Sequence, residues 1–390
     1  MSCALLHSVH IDFVYTSVPQ KTERLINELR YYGNSEKKLA RVRNIIGPDS
    51  RRIAWPGITA ADLCRDAAIR LLREQDVDRG SIDALIFVTQ TPDYDLPATA
   101  CILQQALSLP RHCAAFDVNQ GCSGYIYGLW LAASLIASGA CGRVLLLAGD
   151  AADYQRNPDN RIIAPIFGDG GSATLLSRRT DAAPLSFLLG TDGAGFDSII
   201  RPAGRARVPY AKTSEENTPF FTDIVNAKGT PWRLNEVYMD GTKVFEFTVS
   251  VIPAHIKQFM KETGITPISV NWLILHQANK QIVEFIAEKS GFPLCKAPTG
   301  TFSRYGNLSS ASIPATLCDL FSEGQEAAHG RILLTGYGVG FSWGSCLLES
   351  QDLFCTHVHT YTPPADLPGR EALIKHWTAI LQGKGSHDED

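Results

Sequence analysis

From Cys113 to Ala148 the chain reads CAAFDVNQGCSGYIYGLWLAASLIASGACGRVLLLA. Cys113 to Val118 is a mostly apolar run of strand length. A glycine turn follows it, and Ser123 to Gly139 makes a long apolar helix. Arg143 to Ala148 is a second strand, apolar at nearly every position. Such a strand leaves no face for water, so its sheet must be covered on both sides. Strand, helix, strand in this order marks an α/β protein.

The same alternation extends outward. Ala60 to Gln75 has the composition and period of an amphipathic helix, with Thr59 placed to cap it. Ala84 to Thr89 reads as a strand and Ala98 to Leu107 as a helix. The second half repeats the theme: strand Asn271 to Leu275, helix Gln281 to Lys289, helix Ser309 to Ser322, strand Arg331 to Thr335, strand Gly340 to Leu348. The opening MSCALLHSVHIDFVYTSVP lacks a charged leader and a small-residue cleavage site, so it reads as a first strand rather than a signal peptide. Residues 201–235 show no clean period and read as a loop or lid. Residues 350–390 begin with Thr/Pro turns, carry one helix at Arg370 to Leu381, and end in the polar tail GKGSHDED, expected to be disordered.

The 390 residues suffice for one large core or two fused half-cores. Hydrophobic and charged fractions of 45% and 19% place the chain among globular proteins. A net charge of −4 excludes a broad nucleic-acid footprint, and leaves room for a local basic patch facing an acidic partner. No apolar run is long enough to span a bilayer, and the expected location is the cytoplasm. None of the 10 cysteines stands in a CxxC or CxxH pair, so no metal site is expected. Most read as small buried hydrophobes.

Cys122 differs from the rest. It follows a strand and Gly121, at the mouth of the long helix. Free N–H groups and the helix dipole there are expected to lower a thiol's pKa. Taken alone, the segment serves equally as a small residue in a strand-to-helix corner. His276 ends an apolar strand, where α/β folds place catalytic groups; alone it reads as a satisfied loop histidine. Asn307, in a glycine turn before a helix, alone reads as a cap. Cysteine, histidine and asparagine together form a nucleophilic constellation.

Five motifs carry a family resemblance: Phe116-Asp-Val with Gly121-Cys-Ser-Gly124; Phe167-Gly-Asp-Gly170; His276-Gln-Ala-Asn279; Gly306-Asn307 with Ser310-Ala-Ser-Ile-Pro314; and Gly338-Val-Gly-Phe-Ser-Trp-Gly344. In this order and at these intervals the chain resembles ketoacyl-ACP synthase III of the thiolase superfamily. The resemblance implies a thiolase-like five-layered αβαβα fold built from two related halves, here residues 1–185 and 186–350, with 351–390 as a partly disordered extension. It implies a homodimer acting on acyl-CoA or acyl carrier protein thioesters, with CoA or phosphopantetheine thioesters as substrates and no further cofactor. No nucleic acid or membrane is involved.

By the same resemblance Cys122 takes up the acyl group. His276 and Asn307 hold the enolate formed when a malonyl-type acceptor loses carbon dioxide. The backbone N–H groups of Cys122 and Val339 form a second oxyanion hole. Arg161, Leu96 and Phe341 are implied as substrate-binding residues, Leu96 by reaching across the dimer. Lys289 is the implied carrier-protein contact, though it also reads as a solvated helix lysine. Phe167 to Gly171 reads as a structural turn rather than a phosphate loop, since no Walker lysine follows. The 201–235 stretch and the C-terminal extension favour a specialised fatty-acid or polyketide pathway. The alternative function is transfer of the Cys122-bound acyl group to an oxygen or nitrogen nucleophile without decarboxylation, with His276 as base. A non-catalytic partner subunit is disfavoured by the intact trio.

Overall fold

Two sheets organise the chain. The computed structural model describes residues 2–152, 157, 159–227, 229–321, 330–350, 353–365 and 367–383. The elements that matter here are, in chain order, β1 (Ser2–Leu6), β2 (Val9–Pro19), α1 (Ala60–Glu74), β3 (Ala84–Val88), α2 (Thr99–Ala106), β4 (Ala114–Val118), α3 (Gly124–Ala137), β5 (Arg143–Asp150), β6 (Gly170–Arg178), β7 (Leu185–Thr191), α4 (Gly241–Thr263), β8 (Trp272–Leu275), α5 (Lys280–Lys289), α6 (Ser312–Phe321), β9 (Gly330–Gly338), β10 (Ser342–Ser350), β11 (Phe354–Cys355), β12 (His359–Tyr361) and α7 (Arg370–Leu381). The first sheet runs β11-β2-β6-β5-β3-β4, with β12 also beside β2. Strand β3 is parallel to β4 and β5. The second sheet runs β1-β7-β10-β9-β8, with β8 and β9 parallel.

The apolar strands bury both faces in alternation. Val144, Leu146 and Ala148 of β5 point to the centre, against Ile126 and Leu129 of α3. Leu145 and Leu147 point outward, against Leu63 and Leu71 of α1. In the second sheet Ile332 and Leu334 of β9 face the same centre. Leu333 faces outward to Ile252, Ile256 and Phe259 of α4 and to Val283 and Ile286 of α5. Ile313 and Leu317 of α6 complete the central layer. The layers are therefore α, β, α, β, α, the expected architecture. Helix α3 is apolar all round because it lies between two sheets. Gly128 lets it approach closely: a Cβ there would stand 2.7 Å from Leu146 Cδ1.

Local signals held where they were strong. Thr59 caps α1 in a capping box with Asp62, a device that stabilises a helix by about 1 kcal/mol. Residues 201–235 carry more structure than their composition predicts. Ser214–Phe221 is a short helix, and Ile224–Val225 pairs with Pro231–Trp232. The Asn217 side chain ties this helix to Ala211, and Arg233 pairs with Asp223 at 2.7 Å.

The chain ends do not stay with their neighbours in sequence. Strand β1 pairs antiparallel with β7 in the second sheet. Strands β11 and β12 return to the first sheet and lie parallel to β2. The expected helix at Arg370 to Leu381 is present as α7. The last residues of the polar tail, 384–390, lie outside the described residues, as does Ser322.

Candidate active site

The turn from β4 into α3 places Cys122, and three glycines make room for it. A Cβ on Gly121 would stand 2.2 Å from Gln90 Oε1, and one on Gly124 2.6 Å from Val88 Cγ1. A Cβ on Gly338, at the end of β9, would stand 2.6 Å from Cys122 Cβ and 3.1 Å from Sγ. The sulfur lines an apolar cavity with Ile163, Phe167, Ile199, Val237 and Val339. Its nearest polar side-chain partner is the Ser309 hydroxyl at 4.0 Å.

The expected depression of the thiol pKa does not occur. Burial pushes the Cys122 thiol up to about 12, and the nearby Asp150 carboxylate pushes the same way. The Ser309 hydroxyl and the N–H groups of Val339 and Cys122 favour the thiolate and oppose the rise only in part. Helix α3 begins at Gly124, beyond the cysteine, and desolvation outweighs its amides. The resting group is a thiol.

His276 follows directly from β8. Its N–H donates to the Thr335 carbonyl at 2.9 Å, and its carbonyl accepts from the Tyr337 hydroxyl at 3.0 Å. The ring stands edge-on to Tyr337, with centroids 5.4 Å apart. Burial lowers its pKa to about 3, against a weaker opposing contact with the Ser309 backbone. The imidazole is therefore neutral at physiological pH. Its buried Nδ1 has no hydrogen-bond partner among the described residues.

Asn307 is held from behind by the Phe167-Gly-Asp-Gly segment. Its N–H donates to the Ile166 carbonyl at 2.9 Å, and its carbonyl accepts from Gly168 N–H at 3.0 Å. Gly306, at φ 81°, makes the preceding turn. Asp169 anchors the clamp by accepting from Ala54 N–H at 2.8 Å and Ala152 N–H at 3.0 Å. The motif is structural, but as a bridge from Phe167 to Asn307 leading into strand β6 rather than the expected turn. The Asn307 Oδ1 accepts from Ser309 N–H at 2.9 Å. That bond does cap the following turn, and it leaves the amide NH₂ as the free donor end.

Cys122, His276 and Asn307 therefore converge on one residue that sequence reading missed. Ser309 places its hydroxyl 4.0 Å from the Cys122 sulfur, donates its N–H to Asn307 and brings its backbone to His276. It does so at φ 51°, a left-handed conformation uncommon for a non-glycine residue. Nothing in the sequence announces that geometry. Asp150 was also missed, although an acidic residue at the end of an apolar strand is a readable signal. It is buried and accepts from Gln90 N–H at 2.7 Å and Ser310 Oγ at 2.9 Å. It thus ties the Gln90 and Ser310 turns together beside the thiol.

The implied substrate contacts divide. Val339 lines the cavity beside Cys122. Leu96 is exposed, at 82%, and Arg161 is exposed in the turn after Asn160. Phe341 is 6% exposed and stacks on Phe247 at 4.1 Å, inside the core under the second sheet, and is not among the residues lining the thiol cavity. Its apolar ring is better buried there than exposed. Lys289 is exposed at the far end of α5, with its ammonium 5.5 Å from the Phe285 ring. Lys280, at the His276 end of the same helix, packs on Gly47.

Known proteins resemble the chain along most of its length. The family 3-oxoacyl-(acyl-carrier-protein) synthase III matches residues 116–193, and its C-terminal counterpart matches residues 260–350. A Campylobacter jejuni relative that carries the name of a 3-oxoacyl-(acyl-carrier-protein) synthase 3 is 36% identical over 353 residues, 90% of this chain and 97% of its own length. A beta-ketoacyl-(acyl-carrier-protein) synthase III of Caldanaerobacter subterraneus is 32% identical over 78% of this chain and 87% of its own. The crystal structure of a 3-oxoacyl-(acyl-carrier protein) synthase from Burkholderia xenovorans superposes with a TM-score of 0.83 at 33% identity, covering 92% of this chain and 99% of that one. The chain belongs to the 3-oxoacyl-(acyl-carrier-protein) synthase III family.

Proposed function

We propose that the chain is a decarboxylative condensing enzyme in which Cys122 is the nucleophile and His276 and Asn307 hold the enolate. The observation that supports this reading is that Ser309, which lines the thiol cavity with Cys122, also contacts Asn307 and His276.

In the first half-reaction the Cys122 sulfur bonds to the carbonyl carbon of an acyl thioester. The bond from that carbon to the CoA or carrier sulfur breaks, and the departing thiol takes the proton. The N–H groups of Cys122 and Val339, which already favour negative charge at this sulfur, suit the developing oxyanion. In the second, a malonyl-type thioester loses carbon dioxide. Its carbonyl oxygen gains the negative charge and is held by one N–H of neutral His276 and by the Asn307 amide. A neutral imidazole keeps an N–H to donate, and its low pKa makes it a poor base. That favours enolate stabilisation over base catalysis on an alcohol or amine. The enolate carbon then bonds to the acyl carbon, the bond to Cys122 sulfur breaks, and the released thiolate takes a proton from water to regenerate the thiol.

Intact-mass spectrometry tests the sequence of steps. Acyl-CoA and acyl-carrier thioesters are expected to add one acyl group to the wild type and none to Cys122→Ala. Malonyl-carrier thioester is then expected to remove the adduct with release of carbon dioxide. An adduct on Cys122→Ala would overturn the assignment of the nucleophile. A wild-type adduct that malonyl thioester leaves untouched would overturn the condensation.

A further inference from the structure

A second cavity, of about 490 Å³, opens beside the thiol pocket. Gln90, Ile199, Val237 and Val339 line both, so the two adjoin. Near the sulfur the walls are mostly apolar, with Asp150 and Ser309 among them. Farther out they are not, for Asp117, Asn119, Arg201 and Arg205 line the second cavity.

Two of these charges are already engaged. The Asp117 carboxylate accepts from Thr99 N–H at 2.7 Å and Ala100 N–H at 2.8 Å, at the start of α2. Arg205 pairs with Asp95. Arg201 makes no hydrogen bond or ion pair among the described residues, although it is only partly exposed. The Asn119 side chain makes no hydrogen bond among them either. A partly desolvated guanidinium is best matched by a planar two-oxygen anion. A plain alkyl chain would fill the cavity and leave that cation unmatched.

We infer that the acyl donor is the half-thioester of a short dicarboxylic acid, with its thioester carbonyl at Cys122 and its free carboxylate on Arg201. This rests on Cys122 being the nucleophile. The chemistry at sulfur is unchanged: the sulfur–carbonyl bond forms, the bond to the carrier thiol breaks, and the proton leaves with that thiol. The distal carboxylate takes no part in bond making. It selects the donor, and Asn119 offers a further N–H to the same group.

The test measures acylation rates of Cys122 by intact mass, without acceptor, for chain-matched pairs: glutaryl-CoA against pentanoyl-CoA, and adipyl-CoA against hexanoyl-CoA. The wild type is expected to favour the dicarboxylic member by at least about tenfold, the scale of one charge-assisted hydrogen bond. Arg201→Gln is expected to abolish that preference with an unchanged melting temperature, the two members of each pair then acylating at similar rates. Arg201→Lys is expected to restore part of it. Equal or faster acylation of the wild type by alkyl donors would overturn the inference while leaving the nucleophile in place. So would a preference that survives in Arg201→Gln. Failure of both donor classes to acylate Cys122 would overturn the nucleophile reading, and this inference with it.

Discussion

Gly338→Ala is the substitution whose effect follows most directly from the coordinates. The added methyl would stand 2.6 Å from Cys122 Cβ and 3.1 Å from its sulfur. Carbon atoms in contact settle near 3.5–4.0 Å, so strand and cysteine must part by roughly 1 Å. Neither side yields easily. Strand β9 is paired to β10 as far as Gly338, and to β8 over Ile332–Thr335. At Gly336 a Cβ would already lie 3.0 Å from Ser123 Cα, so strand and turn pack backbone to backbone. Overpacking of this kind costs about 1–3 kcal/mol, and a domain's reserve of roughly 5–15 kcal/mol absorbs it. The chemical loss is larger. A misplacement of about 1 Å at a reacting atom costs on the order of 10²-fold in rate. The same shift would move the adjoining Val339 N–H. The assay is the rate of acyl-enzyme formation by intact mass, read beside the melting temperature. Gly369→Ala is the control, since nothing lies within 4 Å of its added Cβ. Acylation within about twofold of wild type by a folded Gly338→Ala would refute the claim that β9 positions the sulfur.

His276→Ala and Asn307→Ala are each expected to acylate normally while carbon dioxide release from malonyl thioester falls on the order of 10²–10³-fold; an undiminished rate would remove that residue from the mechanism. The raised thiol pKa makes the thiolate a minor form that grows with pH. Iodoacetamide alkylation of Cys122, followed by peptide mass so that exposed Cys3, Cys101 and Cys295 are counted apart, is expected to accelerate about tenfold per pH unit from about pH 7 to 10. A plateau near neutrality would show that burial does not dominate. Glu28→Ala removes the carboxylate that meets buried Arg51 through both guanidinium nitrogens, at 2.5 and 2.7 Å. Stranding that cation costs about 3–5 kcal/mol, measurable by urea unfolding, and an unshifted midpoint would count against the pair's role.

The sequence was most legible where burial on both faces left one pattern possible. Such strands need no polar alternation, so β3 and β5 could be read from apolar runs alone, and β9 from its first half. Strands β6 and β7 went unread, because Gly170-Gly-Ser-Ala-Thr and Leu185-Ser-Phe mix small and polar residues that only their neighbours make strand-like. Helix α4, the longest near the second sheet, was hidden by β-branched residues and by Pro253 inside it. At the site, the reactive trio could be found from residue types and order. The thiol's electrostatics could not. A helix mouth predicts a lowered pKa, whereas burial by distant segments raises it and the Asp150 carboxylate adds to the rise. Ser309 escaped for the same reason: its role lies in a backbone angle, and Asn307-Leu-Ser309 gives no hint of it. Phe341 sits in a motif that does approach the thiol, but the alternation of its strand entrance turns the ring to the far side.

The exchange of chain ends sets a timetable for synthesis. The second sheet has all its strands once residue 350 has left the ribosome, because β1 waits at the N-terminus for β7. The first sheet does not: the edge of β2 at Phe13 and Val14 must wait for Phe354 and Cys355, and Ser17 for His359. The loop-closure entropy for so distant a pairing grows only logarithmically with length, so the delay is kinetic rather than energetic. Throughout it the nascent chain carries an open strand edge beside an otherwise finished core, the kind of surface on which chains join one another. A chain terminated just before Leu353 would keep that edge permanently, with the reactive trio intact and the molecule prone to self-association.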